Sequence, residues 1–264
     1  MGARRVTIRR SWSELERMRK ASLVVVETLK ALEQVIEPGI KTKELDRIAR
    51  ERITSAGARP AFLGYRGYPA SVCVSVNEEV IHGIPGERRL RDGDIVSLDL
   101  GAVVDGYFGD GARTVAVGDV ADEARRLMRV TEEALWEAIA VCRPDKRVGD
   151  IGHAVEQHAR KNGFATVREF VGHGIGTSLH EEPQIPNYGP PGRRERLAPG
   201  MCLAIEPMIN VGGSEVRVLH DGWTAVTADG SLSAHYELTV AVMPEGPWIL
   251  SEPYPYDRAQ AVNA

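Results

Sequence analysis

Length, composition and charge limit the classes of protein to which this chain can belong. Its 264 residues are 43% hydrophobic, which is enough to bury one large core or two closely joined halves. The net charge of -4 excludes a general attraction to nucleic acid. Basic residues nevertheless collect in the first twenty positions, and we predict that residues 1–12 form a basic, solvated arm.

The cysteines and the hydropathy pattern indicate the compartment. Cys73, Cys142 and Cys202 occur without CxxC spacing, which argues against a disulfide framework or a structural zinc site. The basic start of the chain is followed by SWSELERMRK rather than by an apolar signal segment, and no run of eighteen apolar residues occurs. We therefore expect a cytoplasmic protein without a membrane segment.

Helical periodicity predicts four helices, arranged as two pairs of a longer and a shorter helix. Their ranges are 13–37, 42–57, 121–142 and 149–163. In the first helix Ser13 and Glu16 match a capping box. In the second helix Thr42 is the expected N-cap. Proline or glycine follows or closes each helix, as expected at helix ends.

The second half of the chain repeats the order of elements in the first half. The segment RDGDIVSLD, which ends at Asp99, aligns with APGMCLAIE, which ends at Glu206. Two such units, each presenting a carboxylate, predict pseudo-twofold halves that close around one shared site. The predicted organisation is a single domain over 13–250, with halves of about 13–118 and 119–250, followed by a tail over 251–264.

The stretch DLGAVVDGYFGD, residues 99–110, is typical of a β-hairpin with a two-residue turn at Asp105-Gly106. In that register Asp99 faces Ala112. Asp110 then lies diagonal to Asp99 on the same face, with Cβ atoms about 7 to 8 Å apart. The two carboxylates either share a buried cation site or both face solvent, and this stretch alone leaves the two alternatives open.

Other polar residues favour the buried site. Glu206 lies in MCLAIEPMI, which is typical of a strand buried on both faces. Glu237 lies on the same strand face as His235, a face that is either buried or exposed to solvent. His173 and His180 belong to the glycine-rich stretch VGHGIGTSLHEEP, in which the backbone can approach a site closely.

Three other histidines are interpreted as structural. His153 and His158 lie on a predicted helix and His220 lies beside a turn. None has an acidic partner on a predicted strand. We therefore expect no catalytic role for them.

One imidazole and four carboxylates form the predicted metal-ligand set. Its members are Asp99, Asp110, His173, Glu206 and Glu237. Four negative charges match two divalent cations, and this donor set suits manganese, iron, cobalt or zinc. Such a centre lowers the pKa of a bridging water and polarises a carbonyl group, which predicts hydrolysis.

Five motifs in matching order and spacing carry a family resemblance. They are FLGYRGYPASVCVSVNEEVIHGIPG, DLGAVVDGYFGD, FVGHGIGTSLHEEP, LAIEPMI and DGSLSAHYELTVAV. From about residue 10 to 250 the chain resembles the bacterial type I methionine aminopeptidases of the pita-bread fold. The resemblance implies an α+β fold in which helices cover a central antiparallel sheet. It also implies that Asp99 chelates one metal ion, that His173 and Glu206 hold the other, and that Asp110 and Glu237 bridge the two.

The same resemblance assigns roles to further residues. It implies that His180 contacts the substrate carbonyl, that His82 contacts the scissile amide nitrogen, and that Glu206 also shuttles a proton. It implies a methionine pocket formed by Phe62, Tyr65, Tyr68, Cys73, Leu179 and Trp223. Ordinary core packing is the alternative for each pocket residue.

The resemblance implies a function and leaves two alternatives. The expected function is removal of the initiator methionine from nascent polypeptides with a small second residue, by a monomer that contacts the ribosome through its basic arm. The first alternative is a proline-specific pita-bread peptidase. The second is a pita-bread module that binds peptides or ribosomes without catalysis.

Overall fold

A computed structural model of the chain describes residues 7–251. The first six residues of the predicted basic arm and residues 252–264 of the predicted tail lie outside the described residues. Within residues 7–251, no helix combines the length and the apolar character needed to cross a bilayer.

All four predicted helices are present, and each ends a few residues before its predicted limit. Their bounds are Trp12–Glu33 (α1), Thr42–Ser55 (α2), Asp122–Ala140 (α3) and Val148–Lys161 (α4). The apolar stripes that predicted these helices are buried against the sheet. The helical spacing of apolar residues in the sequence was therefore sufficient to predict these four helices.

The predicted caps of α1 and α2 were wrong. Helix α1 begins one residue before Ser13, and the capping box is formed by Ser11 and Glu14. The Glu14 carboxylate accepts hydrogen bonds from the Ser11 backbone nitrogen at 2.8 Å and from its hydroxyl at 2.7 Å. Thr42 is the first helical residue rather than the N-cap. Its hydroxyl is occupied by the backbone of Gly86.

Fifteen strands are described. They are β1 Arg59–Pro60, β2 Cys73–Val76, β3 Glu79–Ile81, β4 Ile95–Val104, β5 Tyr107–Ala116, β6 Ala165–Thr166, β7 Gly172–Gly174, β8 Glu181–Ile185, β9 Cys202–Ile205, β10 Met208–Asn210, β11 Val216–Val218, β12 Ala225–Thr227, β13 Ser233–His235, β14 Glu237–Met243 and β15 Gly246–Ile249. A short 3-10 turn spans Tyr65–Gly67.

Nine of these strands form one antiparallel sheet. Its order is β1-β4-β5-β14-β9-β7-β8, with β2 also paired to β4 and β15 also paired to β14. The two central strands, β5 and β14, are flanked by β4 and β9. Helix α1 packs on β4 and β5, and α3 packs on β9 and β14. The predicted α+β fold class is confirmed.

The predicted hairpin register is confirmed. Strands β4 and β5 pair so that Asp99 lies opposite Ala112 and Gly101 lies opposite Asp110. Asp105 and Gly106 adopt φ values of 50° and 80°, as a type I′ turn requires. Asp99 and Asp110 therefore share one face of the sheet.

The opposite face of the same strands is covered by helices. Leu98 and Leu100 are fully buried in an apolar cluster with residues of α1 and α2. Because side chains alternate along a strand, Asp99 points away from that cluster. Gly109 permits the close approach of α1, since a Cβ there would lie 2.7 Å from the backbone of Ala21 and Ser22.

The segment just before α1 is packed on the domain. The Arg10 side chain, predicted to lie in a solvated arm, is only 7% exposed and pairs with Glu181 at 2.6 Å. Its backbone nitrogen donates to the carbonyl oxygen of Gly200 at 2.7 Å. The expectation of solvent exposure is therefore wrong for Arg10, because the Glu181 carboxylate at the start of β8 neutralises its charge.

Candidate metal centre and active site

One cavity of about 140 Å³ brings the predicted site residues together. It is lined by Phe62, Tyr65, Arg66, Tyr68, Cys73, His82, Asp99, Asp110, His173, Leu179, His180, Glu206, Trp223 and Glu237. All the residues predicted to bind metal, to act in catalysis or to form the pocket are in this set. Arg66 is the one lining residue that the sequence did not predict.

The four carboxylates come from four neighbouring strands. Asp99 lies on β4, Asp110 on β5 and Glu237 at the start of β14, and Glu206 directly follows β9. Ala112 on β5 pairs with Asp99 on one side and with Glu237 on the other. This register places Asp110 diagonal to both of those residues. The β5–β14 pairing thus joins the carboxylates of the two halves of the chain.

His173 completes the cluster. Its Nε2 lies 3.5 Å from Glu206 Oε1 and 3.9 Å from Asp110 Oδ2. Asp110, His173 and Glu237 each offer one ligand atom within 4.8 Å of the others. His173 Nδ1 donates to the Gly174 carbonyl oxygen at 2.9 Å, which leaves the Nε2 lone pair directed at the carboxylates.

Thr239 holds the Asp110 backbone in place. Its hydroxyl accepts from the Asp110 nitrogen at 3.1 Å and donates to the Asp110 carbonyl oxygen at 2.8 Å. Asp110 Oδ1 in turn accepts from the Gly111 nitrogen at 3.1 Å. Thr239 lies two residues after Glu237 on β14, and its partner on β5 was not predicted from the sequence.

Burial dominates the electrostatics of the cluster. It raises the pKa of Asp99 to about 7. Burial, followed by repulsion from neighbouring carboxylates, raises the pKa values of Asp110, Glu206 and Glu237 well above their ordinary range. Burial also lowers the pKa of His173 to about 3, so this imidazole is neutral and does not balance the negative charge.

The unsatisfied atoms of the cluster fit divalent cations. Asp99 Oδ1 and Glu237 Oε1 are buried and accept no hydrogen bond. In the described part of the chain, the only ion-pair contacts of the four carboxylates are with histidines. A buried carboxylate without a partner costs several kcal/mol or binds a proton. Oxygen-rich ligation with one neutral imidazole is a donor set for divalent transition metals.

We predict that Asp99→Asn stabilises the metal-free protein at neutral pH. The folded-state pKa of Asp99 is about 7, above its ordinary value of 3.8, so ionisation of Asp99 opposes folding as pH rises from about 4 to 7. The variant should exceed the parent in free energy of unfolding by roughly 1 to 4 kcal/mol at pH 8, and by almost nothing near pH 4. Denaturant unfolding in the presence of a chelator measures this difference.

The matched control for that experiment is Asp105→Asn. Asp105 is exposed at the tip of the same hairpin, and asparagine also tolerates its positive φ. The free energy of unfolding of Asp105→Asn should equal that of the parent at every pH. Equal stabilities of the parent and Asp99→Asn at pH 8 would contradict the burial of an uncompensated Asp99 carboxylate.

His180 lies where the cavity meets solvent. Its Nδ1 is 2.8 Å from the Tyr65 hydroxyl, and its ring centroid is 4.2 Å from that of His173. Burial, followed by the positive charge of Arg66, lowers the pKa of His180. The ring is therefore neutral at pH 7, and Nε2 is the ring nitrogen left for a substrate.

His82 occupies another part of the cavity wall. It follows β3 with a φ of 61°, and its ring meets those of Phe170 and Trp223 edge-on, at centroid distances of 5.6 and 6.1 Å. Burial, followed by the nearby His180, lowers the pKa of His82 to about 4. His82 is a neutral hydrogen-bonding group at pH 7.

The predicted pocket residues form an apolar wall beside the carboxylates. Cys73 on β2 lies directly opposite Asp99 on β4. The Tyr68 hydroxyl donates to the Gly83 carbonyl oxygen at 2.9 Å, and the Tyr68 ring packs edge-on against Trp223 at 5.1 Å. An apolar, polarisable surface of this kind suits an unbranched thioether side chain.

The sequence did not single out His235, which lies behind the carboxylates. It is buried, and neither ring nitrogen has a hydrogen-bond partner. Its Nε2 lies 3.9 Å from Glu206 Oε2. The sequence did show that His235 shares a strand face with Glu237. The alternation of side chains along a strand does not show which of its two faces is buried.

The three histidines interpreted as structural lie outside the cavity. His153 Nδ1 lies 3.2 Å from the Gly189 carbonyl oxygen, and His158 Nε2 lies 3.1 Å from a Glu133 carboxylate oxygen. His220 is exposed. None of the three lines the cavity.

Comparison with known proteins identifies the family. The sequence profile of metallopeptidase family M24 matches residues 16–244. The methionine aminopeptidase of Clostridium perfringens is 53% identical over 239 residues, which are 90% of this chain and 96% of that protein. Methionine aminopeptidase 1 of Bacillus subtilis is 51% identical over 233 residues, 88% of this chain and 94% of that protein.

Solved structures agree with the sequence relatives. The crystal structure of methionine aminopeptidase from Rickettsia prowazekii matches with a TM-score of 0.92 and 40% identity, covering 94% of this chain and all of that one. Prolidase from Pyrococcus furiosus matches with a TM-score of 0.77 and 22% identity, covering 94% of this chain and 66% of that one. The prolidase shares the fold. The chain belongs to metallopeptidase family M24 and, within it, to the methionine aminopeptidases that its motifs resemble.

Proposed function

We propose that this chain is a metal-dependent aminopeptidase that removes the N-terminal methionine from nascent polypeptides whose second residue is small. One observation carries the proposal: a single cavity holds four carboxylates and a neutral imidazole beside an apolar wall. The identity of about half the residues to methionine aminopeptidases over most of the chain supports the same activity.

The carboxylates and His173 are proposed to hold two divalent cations. Asp99 is assigned to one ion, His173 and Glu206 to the other, and Asp110 and Glu237 to both. The donor set suits manganese, iron, cobalt or zinc. When bound, such ions supply Lewis acidity and lower the pKa of a water molecule. The four carboxylate charges in the cavity are the reason for proposing two ions rather than one.

The cavity walls are proposed to select and position the substrate. The apolar side, which includes Phe62 and Leu179, accepts the methionine side chain. The substrate α-amine is proposed to lie at the carboxylate end of the cavity, which is its polar side. Phe62, Tyr68 and Cys73 are buried on the apolar side of the cavity, and this wall is proposed to leave room for one residue on the amino side of the scissile bond. The geometry therefore favours an aminopeptidase over an endopeptidase.

Three side chains are proposed to act on the scissile bond. His180 presents Nε2 to the carbonyl oxygen, because Tyr65 occupies Nδ1. His82 contacts the amide nitrogen that becomes the leaving group. Glu206, whose side chain is only 12% exposed, is proposed to carry the proton between water and that nitrogen. Each role requires a neutral histidine or a carboxylate with a raised pKa, and the burial of these groups supports those states.

The activity is tested with three short peptides. We predict metal-dependent release of methionine from Met-Ala-Ser, and no release of the first residue from Ala-Pro-Ala. A strong chelator should abolish turnover of Met-Ala-Ser, and added manganese or cobalt should restore it. Met-Trp-Ser should turn over slowly, because its second residue is large.

Three outcomes would contradict the proposal. Preferential cleavage of the X-Pro peptide would identify the proline-specific alternative. Metal binding without turnover of any peptide would identify the non-catalytic binding module. Methionine release that persists unchanged in the chelator would exclude a metal-dependent reaction.

The proposal also covers the cellular compartment, the oligomeric state and contact with the ribosome. We infer a cytoplasmic protein, since the three cysteines are free and buried and cytosolic proteins keep thiols reduced. We also propose that it is a monomer. Contact of the basic arm with ribosomal RNA would not involve Arg10, whose charge is paired with Glu181. Cosedimentation with ribosomes that is absent or insensitive to salt would contradict electrostatic docking.

A further inference from the structure

The mouth of the cavity is marked by two exposed residues. Of the residues that line the cavity, only Arg66 and His180 are exposed, and the others are buried or half-buried. On the proposed function, methionine occupies the apolar inner part and the scissile bond lies near His180. The substrate chain beyond that bond must therefore leave past the side chain of Arg66.

A tight turn holds Arg66 at this position. Gly64, Arg66 and Gly67 all have positive φ, at 81°, 48° and 90°, and this conformation is uncommon for arginine. The turn is closed by a hydrogen bond from the Gly64 nitrogen to the Tyr68 carbonyl oxygen at 2.8 Å. The Arg66 guanidinium carbon lies 5.4 Å from the centroid of the Tyr65 ring. The turn and the ring thus orient the guanidinium before a substrate arrives.

The charge of Arg66 is not neutralised by the protein. Some exposed arginines pair with glutamates, as Arg47 does with Glu51 at 2.8 Å. Within residues 7–251 Arg66 forms no ion pair, and its described contact is with the Tyr65 ring. Among the residues that the structure describes, Arg66 is also the only arginine or lysine that lines the cavity. Its hydrogen-bond donors are free to bind an external group.

The charge acts at the reacting end of the cavity. After burial, Arg66 is the next cause of the lowered pKa of His180, which places the guanidinium within electrostatic range of that ring. Arginine binds carboxylates through paired N–H donors in a planar fork. A carboxylate on the departing part of the substrate would meet this fork directly outside the mouth.

We propose that Arg66 is a specificity-determining residue that favours substrates with an acidic side chain within the first few residues after the scissile bond. The inference rests on the proposed function and deepens it. A carboxylate at the C-terminus of a short peptide has the same chemistry as an acidic side chain. The experiment therefore uses peptide amides, with free-acid peptides as a separate comparison.

The test compares isosteric substrates that differ in one charge. Met-Ala-Asp-Ala-amide should show kcat/KM about three- to fivefold above Met-Ala-Asn-Ala-amide at low salt, the range expected for a solvent-accessible ion pair. The ratio should fall to about one for Arg66→Gln, and also for the parent in about 0.5 M salt. Arg66→Lys should keep part of the preference, because it keeps the charge but loses the planar fork.

Two comparisons separate recognition of the substrate carboxylate from the general effects of removing an arginine charge. Arg129→Gln removes an exposed arginine on α3, outside the cavity, and should leave the ratio at the parent value. Arg66→Gln also removes a charge near His180, but this changes turnover of both peptides in the same direction. The ratio of the two kcat/KM values isolates recognition of the carboxylate.

The outcomes distinguish this inference from the proposed function. If neither peptide releases methionine in the presence of metal, the proposed function is wrong. If both release methionine and the ratio in Arg66→Gln equals that of the parent, the function stands and the role of Arg66 is overturned. A preference seen only between Met-Ala-Asn-Ala as free acid and as amide would assign the contact to the C-terminus and overturn the side-chain proposal.

Discussion

Replacing His180 with alanine is expected to lower kcat for Met-Ala-Ser by about two to four orders of magnitude. The imidazole is neutral because burial lowers its pKa. When the Tyr65 hydroxyl donates to Nδ1, the ring proton stays on Nε2, which faces the proposed position of the carbonyl oxygen. Loss of that donor removes an interaction that strengthens as charge develops on the oxygen. Steady-state kinetics with saturating metal measure the effect.

The metal content of His180→Ala shows whether His180 contacts the substrate carbonyl or binds metal. We expect the variant to bind as much metal as the parent, because His180 is not in the predicted ligand set. Tyr65→Phe should cause a smaller loss of kcat, since it frees Nδ1 but leaves the ring in place. His220→Ala, an exposed histidine outside the cavity, is the matched control and should behave like the parent. A parallel loss of bound metal would make His180 a ligand instead.

Asp110→Asn is expected to weaken metal binding by more than about a hundredfold, because loss of an outer-shell partner alone costs about 10- to 100-fold. Asparagine has the shape of aspartate and retains an oxygen that can accept from the Gly111 nitrogen. The Thr239 hydrogen bonds to the Asp110 backbone are also kept. The variant thus removes charge and leaves the local fold intact. Calorimetric titration of chelator-treated protein with manganese or cobalt measures the affinity.

The prediction for Asp110→Asn also covers peptide turnover, with a control variant in the same hairpin. At a metal concentration that saturates the parent, Asp110→Asn should turn over Met-Ala-Ser far more slowly than the parent does. Asp105→Asn, at the exposed tip of the same hairpin, should bind metal and turn over peptide normally. Unchanged metal affinity in Asp110→Asn would exclude its carboxylate from the metal centre.

The hairpin shows how far local sequence can predict a site. The Asp105-Gly106 turn specifies the pairing of its own two strands, because few backbone conformations join two strands through two residues. Strand alternation then places Asp99 and Asp110 on one face. The sequence left open whether that face was buried. The structure decides it, since β14 and β9 continue the sheet and carry Glu237 and Glu206 beside the first two carboxylates.

The errors share a physical cause. Ser13 and Glu16 have the same capping spacing as Ser11 and Glu14, and only the true start of α1 selects between them. Arg10 was expected in solvent because its buried partner, Glu181, lies 171 positions away. Arg66 and His235 were missed for a similar reason. The role of each of these residues depends on its neighbours in the folded structure, which the sequence pattern does not give.

The sequence by itself determined the four helices, the register of the hairpin, the family and the types of the residues proposed to bind metal. These depend on periodicity, turn chemistry and motif spacing, which act over short stretches of chain. Only the tertiary structure decided that the carboxylates of the two halves meet, through the pairing of Glu237 with Ala112 across the β5–β14 seam. It also decided that Arg66, which forms no ion pair within residues 7–251, lies at the cavity mouth. Pairing between distant strands depends on the packing of the whole chain, and no local pattern encodes which face of a strand that packing buries.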